Sequence, residues 1–323
     1  MTDNTTAELS SARAAQTEPH QPRVHIVLLN WNGWQDTLEC MRSLRRMEYR
    51  NWHAVIVDNG STNDSVERLR EAYSDLTILE TQKNLGFAAG NNVGIRFALK
   101  NGAEYVFVLN NDTTVFPDTI SALVRFAEAH PAAALMGPSI DRRNPQREWP
   151  IRRELDLLTQ LCTFTALRRL ITRIPLVREI FYCTDGPPSV VQFLPGSALF
   201  FRASSFKESG FFDESTFLDF EELIVAEKVR RAGFSVYFVP QARIWHKGSA
   251  SAAKLRAKRY IENAKSEEYF FSHYVRLSPL GRSIVRLIRL ATYSARALRY
   301  RNYREHFNEF MDALWTRPPV KPG

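Results

Sequence analysis

Short apolar runs, each closed by a polar cluster, constrain this chain more than any other feature of it. Val24–Leu29, Ala54–Val57, Leu76–Leu79 and Tyr105–Leu109 read as strands. Between them, apolar residues recur at helical spacing: Trp34, Leu38, Met41 and Leu44, then Val66, Leu69 and Tyr73. Ile120, Leu123, Val124 and Ala127 repeat the pattern after Pro117, which suits the first turn of a helix. Strands that are apolar on both faces and separated by helices imply an α/β fold built on a doubly wound, mostly parallel sheet. Such sheets bind ligands beyond the carboxyl ends of their strands. The polar clusters fall there: Asn30-Trp31-Asn32, Asp58-Asn59, the stretch from Asn84 to Asn92, and Asn110-Asn111-Asp112. The expectation is that these loops converge on one sheet edge.

The second half is less regular. Leu155, Leu158, Leu161 and Leu167 stand among arginines in a stretch, 147–182, read as helical. Val190–Phe201 reads as a strand interrupted by Pro195-Gly196-Ser197, and Phe220–Arg231 as a helix. Phe234–Val239 and Ala242–Trp245 read as two short strands, and 276–315 as a long basic helix or helix pair.

With 323 residues the chain has room for one large α/β domain and an appendage. Its net charge of +8 favours anionic partners: phosphates, acidic lipid or nucleic acid. No nucleic-acid module is recognisable, so nucleic acid is not expected as a partner. Cys40, Cys162 and Cys183 are odd in number and lack metal-type spacing, which fits a reducing compartment. Residues 1–22 read as a disordered tail without the pattern of a signal peptide, and no apolar run is long enough to span a membrane. A cytoplasmic protein is expected.

The segments VHIVLLNWNGW, VIVDNGSTNDS, NLGFAAGNNVGI, VFVLNNDTTV, LPGSALFFR, GFFDESTFLDFEE and RIWHKGSAS occur in this order. Together they resemble glycosyltransferase family 2, of the A-type fold, and especially its rhamnosyltransferase-like branch. The resemblance covers roughly residues 24–252. It implies an inverting transfer of a sugar from a UDP- or dTDP-linked donor to an acceptor hydroxyl, with Mg or Mn, in cell-surface polysaccharide or glycolipid assembly. It divides the chain into a tail (1–22), a catalytic domain (23–252, its nucleotide-binding half 23–140 and acceptor-side half 141–252) and a basic helical segment (253–323).

Residue by residue, the resemblance makes Asp112 the carboxylate that holds a divalent metal on the donor's diphosphate. A leaving diphosphate gathers negative charge, and a hard cation with oxygen ligands neutralises it. An Asn/Asp turn after a strand is the plain alternative. Asn110 stands where the family has its first carboxylate; as an amide it retains only hydrogen bonding, for instance to a ribose hydroxyl. Asp58 is implied to accept from the nucleobase, although the Asp-Asn-Gly-Ser sequence makes an Asx turn by itself. Asn30, Trp31 and Asn111 belong to the same nucleotide-facing loops. Asn84, Gly86, Phe87 and Asn91 lie in a segment whose small residues allow close approach to phosphate or ribose, with tight helix–strand packing as the alternative for Gly90 and Gly94. Of the Glu221-Glu222 pair, the second maps to the proposed base that takes the acceptor's proton, with Glu221 as substitute. Acids in a first helical turn also complement the helix dipole, and Ile224 replaces a further family aspartate. His246 is implied as a metal ligand or diphosphate contact, with Lys247 beside it. Gly196 and Ser197 are implied to lie near the sugar.

Ile284, Leu287, Ile288, Ala291, Ala295 and Leu298 form an apolar stripe at helical spacing, and Arg276–Arg304 holds eight arginines and no acid. Such a segment reads either as a peripheral membrane surface, sensible for a lipid-linked acceptor, or as a helix packed on the catalytic domain. Two rival functions remain at this level. A sugar nucleotidyltransferase would open with a Gly-rich basic phosphate loop, where this chain has Asn-Trp-Asn-Gly-Trp. A non-catalytic scaffold on the same fold is kept open by Asn110 and Ile224.

Overall fold

The structure is a computed structural model describing residues 21–142, 149–164, 168–184, 186–248 and 256–315. The expected tail up to residue 20, Leu167, Ser249 and the first residues of the C-terminal segment lie outside these.

The strands are β1 (Val24–Asn30), β2 (Trp52–Asp58), β3 (Thr77–Glu80), β4 (Tyr105–Asn110), β5 (Thr113–Val115), β6 (Ala133–Arg142), β7 (Ser189–Val190), β8 (Ala198–Arg202) and β9 (Ser235–His246). They form one sheet in the order β3-β2-β1-β4-β8-β6-β9-β5, with β7 on β9. The first four are mutually parallel, as the apolar runs imply. Beyond them the sheet is mixed: β8 runs antiparallel to both β4 and β6, while β6 and β9 are parallel. Alternate strand residues enter opposite cores. Ile26, Leu28 and Ile56 pack with Leu38 and Met41 of the helix Trp34–Leu44, and Val27, Val55 and Val57 pack with Ala88, Ile95 and Ala98 of the helix Gly86–Lys100. Gly94 permits the latter contact, since a Cβ there would lie 2.4 Å from Val27 Cγ1.

Two expectations change. The pair of short strands at 234–245 is the single strand β9: its register against β6 shifts between Pro138 and Ser139, a bulge that absorbs Pro240, which has no N–H for the ladder. The long basic helix or helix pair expected over 276–315 is three helices, Pro279–Arg299, Arg301–Glu305 and Phe307–Trp315, preceded within the expected helical segment by the helix Arg256–His273. Tyr269, Phe270 and Phe271 of that helix enter the core of the main domain, while Ala257, Ile261 and Ala264 build a separate core with Tyr293, Phe310 and Leu314.

The helix Pro279–Arg299 sits with its expected apolar stripe outward. Leu287 is 59% and Leu298 84% exposed, whereas Gly281, Val285, Tyr293 and Ala297 are buried. Three of its arginines turn inward: Arg289 bridges Glu267 at 2.7 Å, and Arg286 bridges Glu268 at 2.9 Å with Arg282 beside it, while Arg296 and Arg299 are exposed. No described helix is long and apolar enough to cross a membrane.

Candidate active site

The polar loops after β1, β2, β3 and β4 meet, and their side chains are bonded mainly to each other. Asn30, fully buried at the end of β1, donates to Asp58 Oδ2 at 2.8 Å and accepts from Thr37 Oγ1 at 2.9 Å. Asp58 also accepts from the backbone N–H of Ser61 at 2.9 Å and from its hydroxyl at 2.6 Å. The Asx turn therefore forms, and the Asp58 carboxylate is already well supplied with donors. Asn111 donates to Thr37 Oγ1 at 2.9 Å and to the carbonyl of Gly33 at 3.3 Å. Asn30 and Asn111 thus act as the frame under the site, while Trp31 is exposed at its rim. Asn59 ties in the third loop, donating to Asn84 Oδ1 at 3.1 Å and to the carbonyl of Gly86 at 3.0 Å. Gly86 has φ +84 and lies so close to Phe217 that a Cβ would stand 2.5 Å from its carbonyl oxygen. Phe87 packs edge-on against Phe212, and Asn91 donates to the Phe87 carbonyl at 3.0 Å, so these two stabilise the loop from behind.

The last loop carries the carboxylate singled out above. Asp112 is buried; His246 Nε2 lies 3.1 Å from its Oδ1, and its Oδ2 has no hydrogen-bond partner. The pairing of Thr113 with His246 between β5 and β9 brings the two together across the sheet. A buried carboxylate oxygen with no partner costs free energy unless something else satisfies it. A carboxylate and an imidazole fit a divalent cation that takes its remaining ligands from phosphate and water. No cluster of three or more such protein ligands exists among the described residues. Lys247 pairs with Asp36 at 2.6 Å, and its backbone N–H donates to the Asp112 carbonyl at 3.0 Å.

Because β4 and β8 are antiparallel, the Asn110 N–H reaches the Ser197 carbonyl at 2.9 Å. Ser197 is buried and Gly196 faces the glutamate pair: a Cβ at Gly196 would sit 3.6 Å from Glu222 Oε2. The sheet thus links the Asp112 loop to Glu222 through one short crossing. Glu221 and Glu222 open the helix Glu221–Arg231 after two consecutive non-glycine residues of positive φ, Asp219 and Phe220. Burial, with the charge of Glu222 and then Asp219, raises the Glu221 carboxyl well above the usual range, and its Oε2 has no hydrogen-bond partner. Burial also pushes Glu222 up to about 7, with Asp219 adding to the rise and a backbone hydrogen bond and Arg259 opposing it. A half-buried carboxyl that changes charge near neutral pH is suited to general-base work.

The family model described as "Glycosyl transferase family 2" matches residues 24–209. The chain belongs to glycosyl transferase family 2. It is 27% identical over 245 residues to the N-acetylglucosaminyl-diphospho-decaprenol L-rhamnosyltransferase of Mycobacterium tuberculosis, covering 72% of this chain and 78% of that protein. It is 21% identical over 224 residues to the dTDP-rhamnosyl transferase RfbF of Shigella flexneri, covering 69% and 68%. Among solved structures, GalNAc-T7 with UDP, GalNAc and Mn2+ shares the fold, with a TM-score of 0.59 at 17% identity over 80% of this chain and 49% of that one. This is a glycosyltransferase fold and a glycosyltransferase sequence.

Both family departures have a local setting. Asn110 keeps its backbone place on β4 but carries no charge. Ile224 is fully buried in the main core, where an unpaired aspartate would be costly. Sequence reading missed several residues that shape the site: Thr37 and Ser61, whose hydroxyls knit the frame, and Asp219, visible as an acid beside the glutamate pair. It also missed Arg259 and Asn263, which lie on the helix Arg256–His273 and left no motif to find.

Proposed function

We propose that this glycosyltransferase transfers a sugar, with inversion, from a UDP- or dTDP-linked donor to a saccharide hydroxyl on a lipid-linked acceptor. The observation that carries this reading is the Asp112–His246 pair and Glu222 at the same sheet edge, joined through the Asn110–Ser197 crossing. Glu222 takes the acceptor's proton as the acceptor oxygen attacks the anomeric carbon. The bond from that carbon to the diphosphate oxygen breaks, and the nucleoside diphosphate leaves with the electron pair. Asp112 and His246 would hold Mg or Mn, which when bound neutralises charge on the diphosphate. Asn30, Asp58, Asn84, Asn91 and Asn111 hold the loops that would cradle the nucleotide, with Trp31 placed for stacking and Asn110 for a ribose hydroxyl. Gly196 and Ser197 border the sugar, and Lys247, shared with Asp36, lies at the diphosphate end.

The two relatives' names support rhamnose as the first donor sugar to try and a diphospho-polyprenol saccharide as the first acceptor. A lipid-linked acceptor makes peripheral attachment to an anionic membrane useful. The outward apolar stripe of the helix Pro279–Arg299, in a stretch without acids, supports that attachment. The deciding experiment is transfer from a panel of UDP- and dTDP-sugars to a lipid diphosphate-linked N-acetylglucosamine, with the product's anomeric configuration read by NMR. An inverted linkage supports the proposal. A retained one, or donor binding without transfer to any acceptor, sinks it.

A further inference from the structure

The helix Arg256–His273 lies across the segment that carries the paired glutamates and grips it at successive points. Ser266 Oγ donates to the Leu218 carbonyl at 3.0 Å. Arg259 Nη2 donates to Asp219 Oδ1 at 3.1 Å, and Asn263 Nδ2 to Asp219 Oδ2 at 3.2 Å. The Tyr269 hydroxyl donates to Asp213 Oδ2 at 2.8 Å, and the Phe270 ring packs 5.7 Å from that of Phe220. The Asn263 amide has one orientation that fits its neighbours. Arg289 Nη2 reaches its Oδ1 at 2.7 Å; a guanidinium only donates and a carboxylate only accepts, so the amide nitrogen must face Asp219. Arg289 is itself held by Glu267. Arg289 of the basic helix thus forms an outer brace behind the Asp219 grip.

The grip falls on the part of the chain that most needs it. Asp219 has φ +66 and Phe220 φ +72, a left-handed conformation that side chains with a Cβ disfavour. Such a pair persists where the surroundings over-determine it. It sets the direction in which Glu221 and Glu222 leave the turn. We infer that Asp219, clamped by Arg259 and Asn263, is a positioning residue for Glu222, and that the C-terminal helices are a working part of the catalytic apparatus. This rests on the reading of Glu222 as the base.

The clamp also sets the charge around that base. Asp219 and Glu221 face Glu222 from its own segment and Arg259 from the helix packed across it; Pro195-Gly196-Ser197 on its other side brings no ionisable group. Asp219 favours the protonated form of Glu222 and Arg259 the ionised form. Removing either charge moves the acid limb of the rate profile, in opposite directions.

The test uses the full chain and compares Asp219→Asn, Arg259→Gln, Arg259→Lys and Glu222→Gln. Single-turnover transfer is followed against pH, with the donor KM and the melting temperature measured alongside. Asp219→Asn is expected to lose about 10²-fold in the transfer step, as misplaced catalytic groups do, with little change in donor KM. Its acid limb moves to lower pH. Arg259→Gln moves the limb to higher pH, and Arg259→Lys, which keeps the charge, brings it back. If Asp219→Asn does not fold, the Gln and Lys variants at Arg259 decide. The inference is overturned if these variants lower the melting temperature yet leave rate and pH limb unchanged while Glu222→Gln is slow. A Glu222→Gln variant as fast as wild type overturns instead the base assignment beneath it.

Discussion

The two sides of the site are built on opposite principles. On the proposed donor side, Asn30, Asp58, Asn59, Asn84 and Asn111 spend their polar atoms on one another and on neighbouring loop residues, and the loops after β1 to β4 are knitted together. On the proposed acceptor side, Glu221 keeps a buried, unpartnered oxygen, burial pushes Glu222 up to about 7, and the turn before them is left-handed twice over. Satisfied polar networks rigidify a surface. Unsatisfied, desolvated carboxyls store reactivity at a cost in stability. Asp112 belongs in character to the second group although it stands among the first: it is the donor-loop carboxylate with a buried oxygen left open. The difference separates residues that hold the site from residues proposed to act in it.

The largest effect should follow from attacking that open oxygen. Asp112→Ala is expected to abolish transfer while leaving the melting temperature near that of wild type, and chelation by EDTA to do the same to wild type until Mg or Mn is restored. Full activity of Asp112→Ala in EDTA would remove the metal from the account and leave Asp112 as a turn residue.

Substitution in the closed network should act on stability instead. Asp58→Ala takes the 2.8 Å acceptor from the buried Asn30 amide and the acceptor from the half-buried Ser61 N–H, a loss of about 1–3 kcal/mol. Urea unfolding measures it. Unchanged stability with weakened nucleotide binding would instead mean that the carboxylate mainly serves the nucleobase.

Glu221→Gln should stabilise, and the sign depends on pH. A carboxyl whose pKa is higher folded than unfolded causes no loss below the unfolded value, about 4.3, where both states are protonated. As pH rises above that, the unfolded chain ionises first and folding stability falls until the folded carboxyl also ionises. Burial raises Glu221 in this way. The variant should therefore melt above wild type at pH 8 and with it at pH 4. A gap of the same size at both pH values would show that packing, not ionisation, is responsible.

The smallest effect concerns the outer surface. With Arg286 and Arg289 engaged internally but Arg276, Arg296, Arg299, Arg301 and Arg304 exposed, vesicle binding through 276–304 should weaken with salt without vanishing, because the exposed Leu287 and Leu298 insert. Flotation with anionic vesicles checks this. Complete release by salt would assign the binding to charge, and no binding at low salt would remove the membrane from the account.

Legibility in the sequence follows the same division. The parallel strands and the polar loops beyond them were readable because a strand buried on both faces is apolar throughout, and a change to Asn and Asp marks its end. β6 was not readable, since Gly137 and Pro138 interrupt its apolar pattern, and β5 is three residues long. The stripe from Ile284 to Leu298 is legible as a pattern, but periodicity does not say which face packs; here Glu267 and Glu268 on the neighbouring helix draw Arg289 and Arg286 inward. The clamp on Asp219 joins residues 40 and 44 positions apart through unremarkable side chains, a relation created by folding alone.

The proposed transfer depends above all on Glu222 accepting the acceptor's proton. Its most direct test is the single-turnover rate of sugar transfer against pH for wild type and Glu222→Gln at saturating donor. The wild-type rate should fall with decreasing pH through a group near 7. Glu222→Gln should be slower by about 10²–10⁴-fold and lack that limb, with donor affinity unchanged. A Glu222→Gln profile that keeps both the wild-type rate and the wild-type limb would contradict the account.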